Sequence, residues 1–188
     1  MNHPTAIIEN TVNRAALVGA YCLIGLPGEN KATFPATPFG VLLDTDCILT
    51  GLVTVDSGTI RDTYIGKRAF LMKGVHVGHD AIIEDDVTIS CHALIGGHVR
   101  IGRGANIGLG AIIHPRQVIP PFALIGAGAV VTKTEDIKPF GIFVGNPARF
   151  LRFNHQAIEK FNLSESEVAQ IQNDWLNENQ HQKNHPPS

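Results

Sequence analysis

The chain is predicted to be an all-β solenoid, a parallel β-helix of hexapeptide repeats closed by a short C-terminal α-helical cap. Three observations predict it. From Ile65 onward every sixth residue is large and apolar, through Leu71, Val77, Ile83, Ile89, Ile95, Ile101 and Ile107 as far as Val131, Ile137 and Phe143. Four residues after each of the first eight stands a small apolar residue, from Ala69 and Val75 to Ala105 and Ala111. The position after the large residue is often glycine, as at Gly66, Gly78, Gly96, Gly102, Gly108 and Gly126. A period of six fits neither the 3.6 of a helix nor the plain alternation of a long strand; it fits short strands bent at regular corners.

The elements follow in order. Val12, Val18 and Ile24 keep a six-residue step, and residues 25–40 then carry Pro27, Pro35 and Pro38, which no regular coil accommodates, so a protruding loop is expected there. The frame resumes at Leu43, Leu49 and Val55 and slips by four residues through Arg61 to Tyr64, as a small insertion at one corner would make it do. The uninterrupted run ends at Gly145-Asn146-Pro147, so the solenoid is expected over 1–148 and the cap over 149–176. Ser164-x-x-Glu167 is a capping box ahead of the helical spacing of Val168, Ile171, Trp175 and Leu176, with Ala157, Ile158 and Phe161 marking a shorter helix before it. These helices are expected to cover the open end of the solenoid. Residues 177–188, polar and ending in Pro186 and Pro187, read as a disordered tail.

Composition narrows the function. The 15 Lys+Arg against 17 Asp+Glu give a formal charge of -2, which offers no basic field for nucleic acid or an anionic membrane. No run of 18 apolar residues spans a membrane, and Met1 to Asn13 lacks the basic start and apolar stretch of an export signal. Cys22, Cys47 and Cys91 form no C-x-x-C pair, so neither a disulfide framework nor a zinc knuckle is expected, and a cytoplasmic setting fits.

The repeat resembles that of left-handed parallel β-helix proteins, triangular in section with three hexads per coil. That resemblance implies that residues 18 apart stack, about 4.8 Å from one another as in any parallel ladder. One corner column then holds His79, Gly97 and Pro115, its neighbour holds Asp80, His98 and Arg116, and His76 and His114 lie close to the same edge. His92 and Cys91 fall on another corner. Corner residues of a solenoid are exposed and tolerate most side chains, but four histidines, an aspartate and an arginine on one edge are a concentration of titratable groups of the kind found at sites. A histidine accepts a proton near neutrality, and a glycine one coil above it can present an unobstructed N–H to a developing oxyanion. Base and oxyanion donor together point to acyl transfer, by direct attack of the acceptor, since no Ser or Cys nucleophile with a partnered base is evident.

The stretch Leu71-Met-Lys-Gly-Val-His-Val-Gly-His-Asp-Ala81, followed by Leu94-Ile-Gly-Gly-His98 and Ala111-Ile-Ile-His114, resembles the acyl-[acyl-carrier-protein]–UDP-N-acetylglucosamine O-acyltransferases of lipid A synthesis. The resemblance implies His79 as general base with Asp80 as its acidic companion, Gly97 as oxyanion donor, and His76, His98 and His114, with Arg116 beside them, as acceptor contacts. It implies an acyl carrier protein or CoA thioester as co-substrate, a nucleotide-sugar acceptor, no permanently bound cofactor, no metal, and a homotrimer with sites between subunits. Family members have more N-terminal coils and a larger basic C-terminal region, whereas only a short cap follows Arg152; Pro115 and Ala127 stand where the family has Gln and Gly. A side chain at Ala127 would favour a shorter acyl group.

A second resemblance competes. Ile125-Gly-Ala-Gly-Ala-Val-Val131 followed by Val144-Gly-Asn-Pro-Ala-Arg149 is similar to the ending of acetyl-CoA-dependent sugar acetyltransferases, in which Arg149 would meet a CoA phosphate; the alternative is that Gly145 to Arg149 only turns the chain out of the solenoid. Two other classes use or suit the fold: a γ-type carbonic anhydrase, whose paired histidine spacing is absent here, and a noncatalytic scaffold.

Overall fold

The computed structural model describes residues 1–133 and 137–184. Parallel strands of two to four residues stack into three sheets of seven, six and seven, neighbouring strands lying one coil apart, and an eighth, antiparallel strand is added to the last sheet. The register is the 18-residue one: His76 lies opposite Leu94, Leu94 opposite Ile112 and Ile112 opposite Val130. Large residues at the first position of each hexad point inward, with Ile65, Leu71, Val77, Ile83, Ile89 and Ile95 all fully buried. Each contributes about 1.5–3 kcal/mol by leaving water. The small residue at the fifth position, Ala69, Val75, Ala81, Val87 or Ala93, is fully buried too, because the wall bends there and has no room for more.

The turn itself is made at the fourth position. Arg68, Gly74, Asp80, Asp86, His92, His98, Gly104, Gly110, Arg116, Phe122 and Gly128 are spaced by six, and all have φ between 56° and 73°. Left-handed backbone is costly for most side chains, and Asp, His and Gly tolerate it best. Asp80 and His98 therefore hold positions that every coil must fill with such a conformation.

Four expectations change. Val12 is not in the inward frame: it is 59% exposed, because the strand Thr11–Asn13 pairs with Val41–Leu43 in a register that sets Asn13, not Val12, opposite Leu43. The chain after Arg149 begins with a strand, Arg149–Phe153, which folds back antiparallel on Gly141–Val144 before α1 (His155–Phe161) and α2 (Glu165–Asn184). The two helices do not sit squarely over the open end. Phe161 packs on the corner residue Phe122, itself stacked on Phe140, while α2 runs alongside the solenoid far enough for Glu178 to reach Arg100. The helix also extends through Asn184, into the segment whose composition suggested a disordered tail; residues 185–188 lie outside the described residues. The capping box is present, with Ser164 N–H donating to Glu167 Oε2 at 2.8 Å and Glu167 N–H to Ser164 Oγ at 3.3 Å.

Candidate active site

The six-residue frame is broken in two places, and both breaks meet at one corner. The first is the loop 27–40, after the strand Leu23–Leu26; the second is the insertion 57–62, between Thr54–Asp56 and Thr63–Ile65. They are pinned together at each end. Ser57 N–H donates to Leu26 O at 2.8 Å and Ser57 Oγ to Gly25 O at 2.6 Å, while Thr63 N–H donates to Gly40 O at 3.0 Å and Gly40 N–H to Asp62 Oδ1 at 2.8 Å. Asp80 lies 18 residues beyond Asp62, so the insertion lies against it one coil below.

The insertion wraps the Asp80 carboxylate. The N–H groups of Thr59, Ile60 and Arg61 donate to Oδ1 at 2.9, 2.8 and 3.0 Å, and the Thr59 hydroxyl donates to Oδ2 at 2.6 Å. Asp80 is 1% exposed, and its own N–H is taken by Thr63 Oγ1 at 2.8 Å. Burial pushes its carboxyl upward, but the donors of Ile60, Thr59 and His79 outweigh that and hold it well below the usual carboxylate range. An ionised carboxylate only accepts, so the 2.6 Å contact from His79 Nδ1 to Oδ2 carries the imidazole proton on Nδ1. The lone pair is left on Nε2, which is the arrangement a general base needs.

Gly97 lies against that nitrogen. A Cβ built there would stand 2.8 Å from His79 Nε2, so only glycine leaves Nε2 open, and behind the ring a Cβ at Gly28 of the loop would meet His79 Cβ at 2.8 Å. The Gly97 N–H donates to nothing among the described residues, as is true of Lys73, His79 and Cys91 at the same hexad position, while Lys67 and Arg103 have theirs taken by Asp85 and Glu84 at 2.9 Å. A free N–H beside a histidine base is a ready oxyanion donor.

His98 meets His79 edge to face, with ring centroids 4.9 Å apart, and its Nδ1 is 3.7 Å from Asp80 Oδ2. Burial lowers its pKa, Asp80 opposes that, and Arg116 and His79 add to it. His76 stands slightly apart, hydrogen-bonded through Nδ1 to Thr54 Oγ1 at 2.7 Å, with its Nε2 3.9 Å from Asp56 Oδ2. It borders a cleft of about 320 Å³ between the loop and the sheet, with Glu29, Phe34 and Asp56. Burial pushes the Asp56 carboxyl up, against the pull of His76.

The fold thus brings together His79, Asp80, Gly97 and His98, with Arg116 close enough to act on His98. His114 is on the same edge but exposed, and its ring makes no hydrogen bond among the described residues. Arg149 lies elsewhere, on a cleft of about 410 Å³ with Lys133 and Phe150. His79, Asp80 and His98 offer ligand atoms within 4.8 Å of one another, but the two Asp80 oxygens already accept five hydrogen bonds, which leaves no lone pair free for a metal. Sequence reasoning missed Gly28, Thr59, Ile60 and Arg61. The signal was available: both interruptions of the frame fall one coil or so from the histidine edge.

Residues 62–97 match the bacterial transferase hexapeptide (six repeats) family. Over 176 residues the chain is 30% identical to an acyl-[acyl-carrier-protein]–UDP-N-acetylglucosamine O-acyltransferase of Syntrophobacter fumaroxidans, covering 90% of this chain and 67% of the relative. Against the enzyme of that name from Gloeothece citriformis it is 30% identical over 121 residues, 63% of this chain and 43% of the relative. The chain thus spans between 43% and 67% of the length of these two relatives. Among solved structures, a UDP-N-acetylglucosamine acyltransferase from Bacteroides fragilis superposes with a TM-score of 0.80 at 21% identity, over 91% of this chain and 68% of that one. A perosamine N-acetyltransferase from Caulobacter crescentus superposes with a TM-score of 0.58 at 21% identity, over 80% of this chain and 55% of the other. These likenesses make the solenoid the left-handed parallel β-helix.

Proposed function

The chain belongs to the acyl-[acyl-carrier-protein]–UDP-N-acetylglucosamine O-acyltransferase family, and on that premise we propose that it moves an acyl group from a pantetheine thioester on acyl carrier protein to a hydroxyl or amine of a UDP-activated amino sugar. The observation that carries the reading is the nested Asp80 carboxylate, 2.6 Å from His79 Nδ1, which leaves Nε2 as the base beside Gly97.

In this reaction Nε2 of His79 takes the proton of the acceptor as its oxygen or nitrogen attacks the thioester carbonyl. Negative charge gathers on the former carbonyl oxygen, where the Gly97 N–H receives it. Collapse breaks the C–S bond, and the thiolate leaves with the proton that His79 took. Asp80 stays ionised throughout and steadies the imidazolium. His76, His98, His114 and Arg116 contact the acceptor. His114, exposed in one chain, is completed by a homotrimer that sets the site between neighbours, so light scattering should give three times the 20.3 kDa chain mass. The thioester is a co-substrate; no resident cofactor or metal takes part. The setting is the cytoplasm, where the free thiols of Cys22, Cys47 and Cys91 stay reduced. No helix of the described residues is long and apolar enough to cross a membrane.

A second reading, acetyl-CoA-dependent acetylation of a sugar, draws support from the likeness to the perosamine N-acetyltransferase and from Arg149 and Lys133 on one cleft, suited to a CoA phosphate. One experiment separates the two. UDP-N-acetylglucosamine is offered with hydroxyacyl carrier protein and with acetyl-CoA in turn, and thioester loss and product mass are followed. Transfer from the carrier protein, cut about 10² or more in His79→Ala, is expected. Transfer from CoA alone moves the protein to the second reading, and unchanged transfer in His79→Ala overturns the base assignment.

A further inference from the structure

Two histidines compete for one oxygen atom. Asp80 Oδ2 lies 2.6 Å from His79 Nδ1 and 3.7 Å from His98 Nδ1, and the two rings meet edge to face. Either nitrogen can donate. A carboxylate oxygen accepts well along two lone-pair directions, and here the second is taken by Thr59 Oγ1 at 2.6 Å. Oδ1 is filled by the three N–H groups of the insertion, so the carboxylate cannot rotate to offer another acceptor. Thr59 is 8% exposed, which keeps water from substituting for its hydroxyl.

We propose that Thr59 is a positioning residue that reserves Asp80 for His79, by occupying the Oδ2 lone pair His98 would otherwise take. This rests on the reading of His79 as the base. Without the Thr59 hydroxyl, His98 closes on Oδ2 and the negative charge is divided between two imidazoles. His79 then loses the sole partner that fixes its tautomer, and His98 leaves its place beside the acceptor. The groups that act on His98 are Asp80 and His79 from the corner below, Arg61 from the insertion and Arg116 from the corner above; of these only Asp80 favours its charged form.

The test uses the full chain with Thr59→Ala, Thr59→Val and Thr59→Ser. The first two remove the donor with different shapes, and the third restores it. The titration of His98 is read by NMR from its ring-proton shift, assigned with His98→Gln. In Thr59→Ala and Thr59→Val the midpoint rises by about one pH unit, as a new charge-assisted hydrogen bond requires, while Thr59→Ser titrates like the native protein. Under the transfer assay, kcat falls about tenfold or more in the first two variants and recovers in Thr59→Ser. A His98 midpoint that stays put in a folded Thr59→Ala or Thr59→Val overturns the proposal, as does a Thr59→Ser that behaves like them. Because the titration needs no substrate, failure of the transferase reading shows separately, as absence of turnover in the native chain.

Discussion

Replacing Gly97 by alanine adds one methyl group at the point where acceptor and base must meet. Built on the existing backbone, that Cβ lies 2.8 Å from His79 Nε2, 3.0 Å from Cε1 and 3.2 Å from Cδ2. Non-bonded carbon contacts settle near 3.5–4.0 Å, so the ring would have to withdraw by about half an ångström or more. It has nowhere to go: Nδ1 is held at 2.6 Å by Asp80, and Gly28 closes the space behind Cβ. The left-handed residues do not include Gly97, so the substitution carries no backbone strain, and the crowding should cost about 1–3 kcal/mol of stability. The effect on catalysis is larger. A methyl over Nε2 blocks proton abstraction, which is worth about 10²–10⁴ in rate, or about 2.7–5.4 kcal/mol at 1.36 kcal/mol per decade. Because the Gly97→Ala variant keeps the backbone N–H, the loss reports access to the base rather than the oxyanion donor. The assay is initial-rate thioester consumption with the donor that the transfer experiment selects, and circular dichroism checks the fold. Gly110→Ala is the control, since Gly110 has φ of 61° with no atom within 4 Å of its built Cβ; it should cost about 1–2 kcal/mol of strain and leave turnover intact. A folded Gly97→Ala with turnover within about threefold of native would refute the placement of the base.

Acid should unfold the protein through Asp80. Its folded-state pKa is held below the unfolded value, so its contribution is present above about pH 4 and is lost as pH falls further. The expected melting temperature begins to decline as pH falls below about 6.5, because the lowered pKa of His98 lets the unfolded chain take up that proton first, and it drops more steeply below about 4. Asp80→Asn should melt lower at neutral pH, with a shallower acid decline by calorimetry; equal acid slopes would contradict this. Dialysis against a chelator should leave transfer unchanged, since the Asp80 oxygens are already filled by protein donors. Loss of activity that zinc restores would place a metal at the dyad. In the core, Ile95→Ala should cost about 2–5 kcal/mol in urea unfolding, because Ile95 is fully buried in a stack too tightly repeated to collapse around the gap.

The solenoid is legible in the sequence, and so is the column that brings Gly97 over His79, with Asp80 and His98 beside them. Each hexad meets only its neighbours one coil away, so a period of six converts directly into positions in space. The same arithmetic placed His92 on another corner, where its ring lies against Gly74. Folding in three dimensions settled what the repeat does not encode. It set Asn13 rather than Val12 opposite Leu43, since the first coil has a neighbour on one side alone and its frame is fixed by pairing rather than by pattern. It also turned Arg149–Phe153 into an antiparallel strand. At the site, it drew the loop at Gly28 and the insertion at Thr59 to Arg61 around the dyad. A corner aspartate, which position alone would leave in solvent, thereby became a buried and ionised one. Those contacts join segments with no periodicity of their own, through backbone N–H groups that every residue type but proline carries. Their location could be read as breaks in the frame, but the hydrogen bonds that aim His79 existed only once the chain had folded.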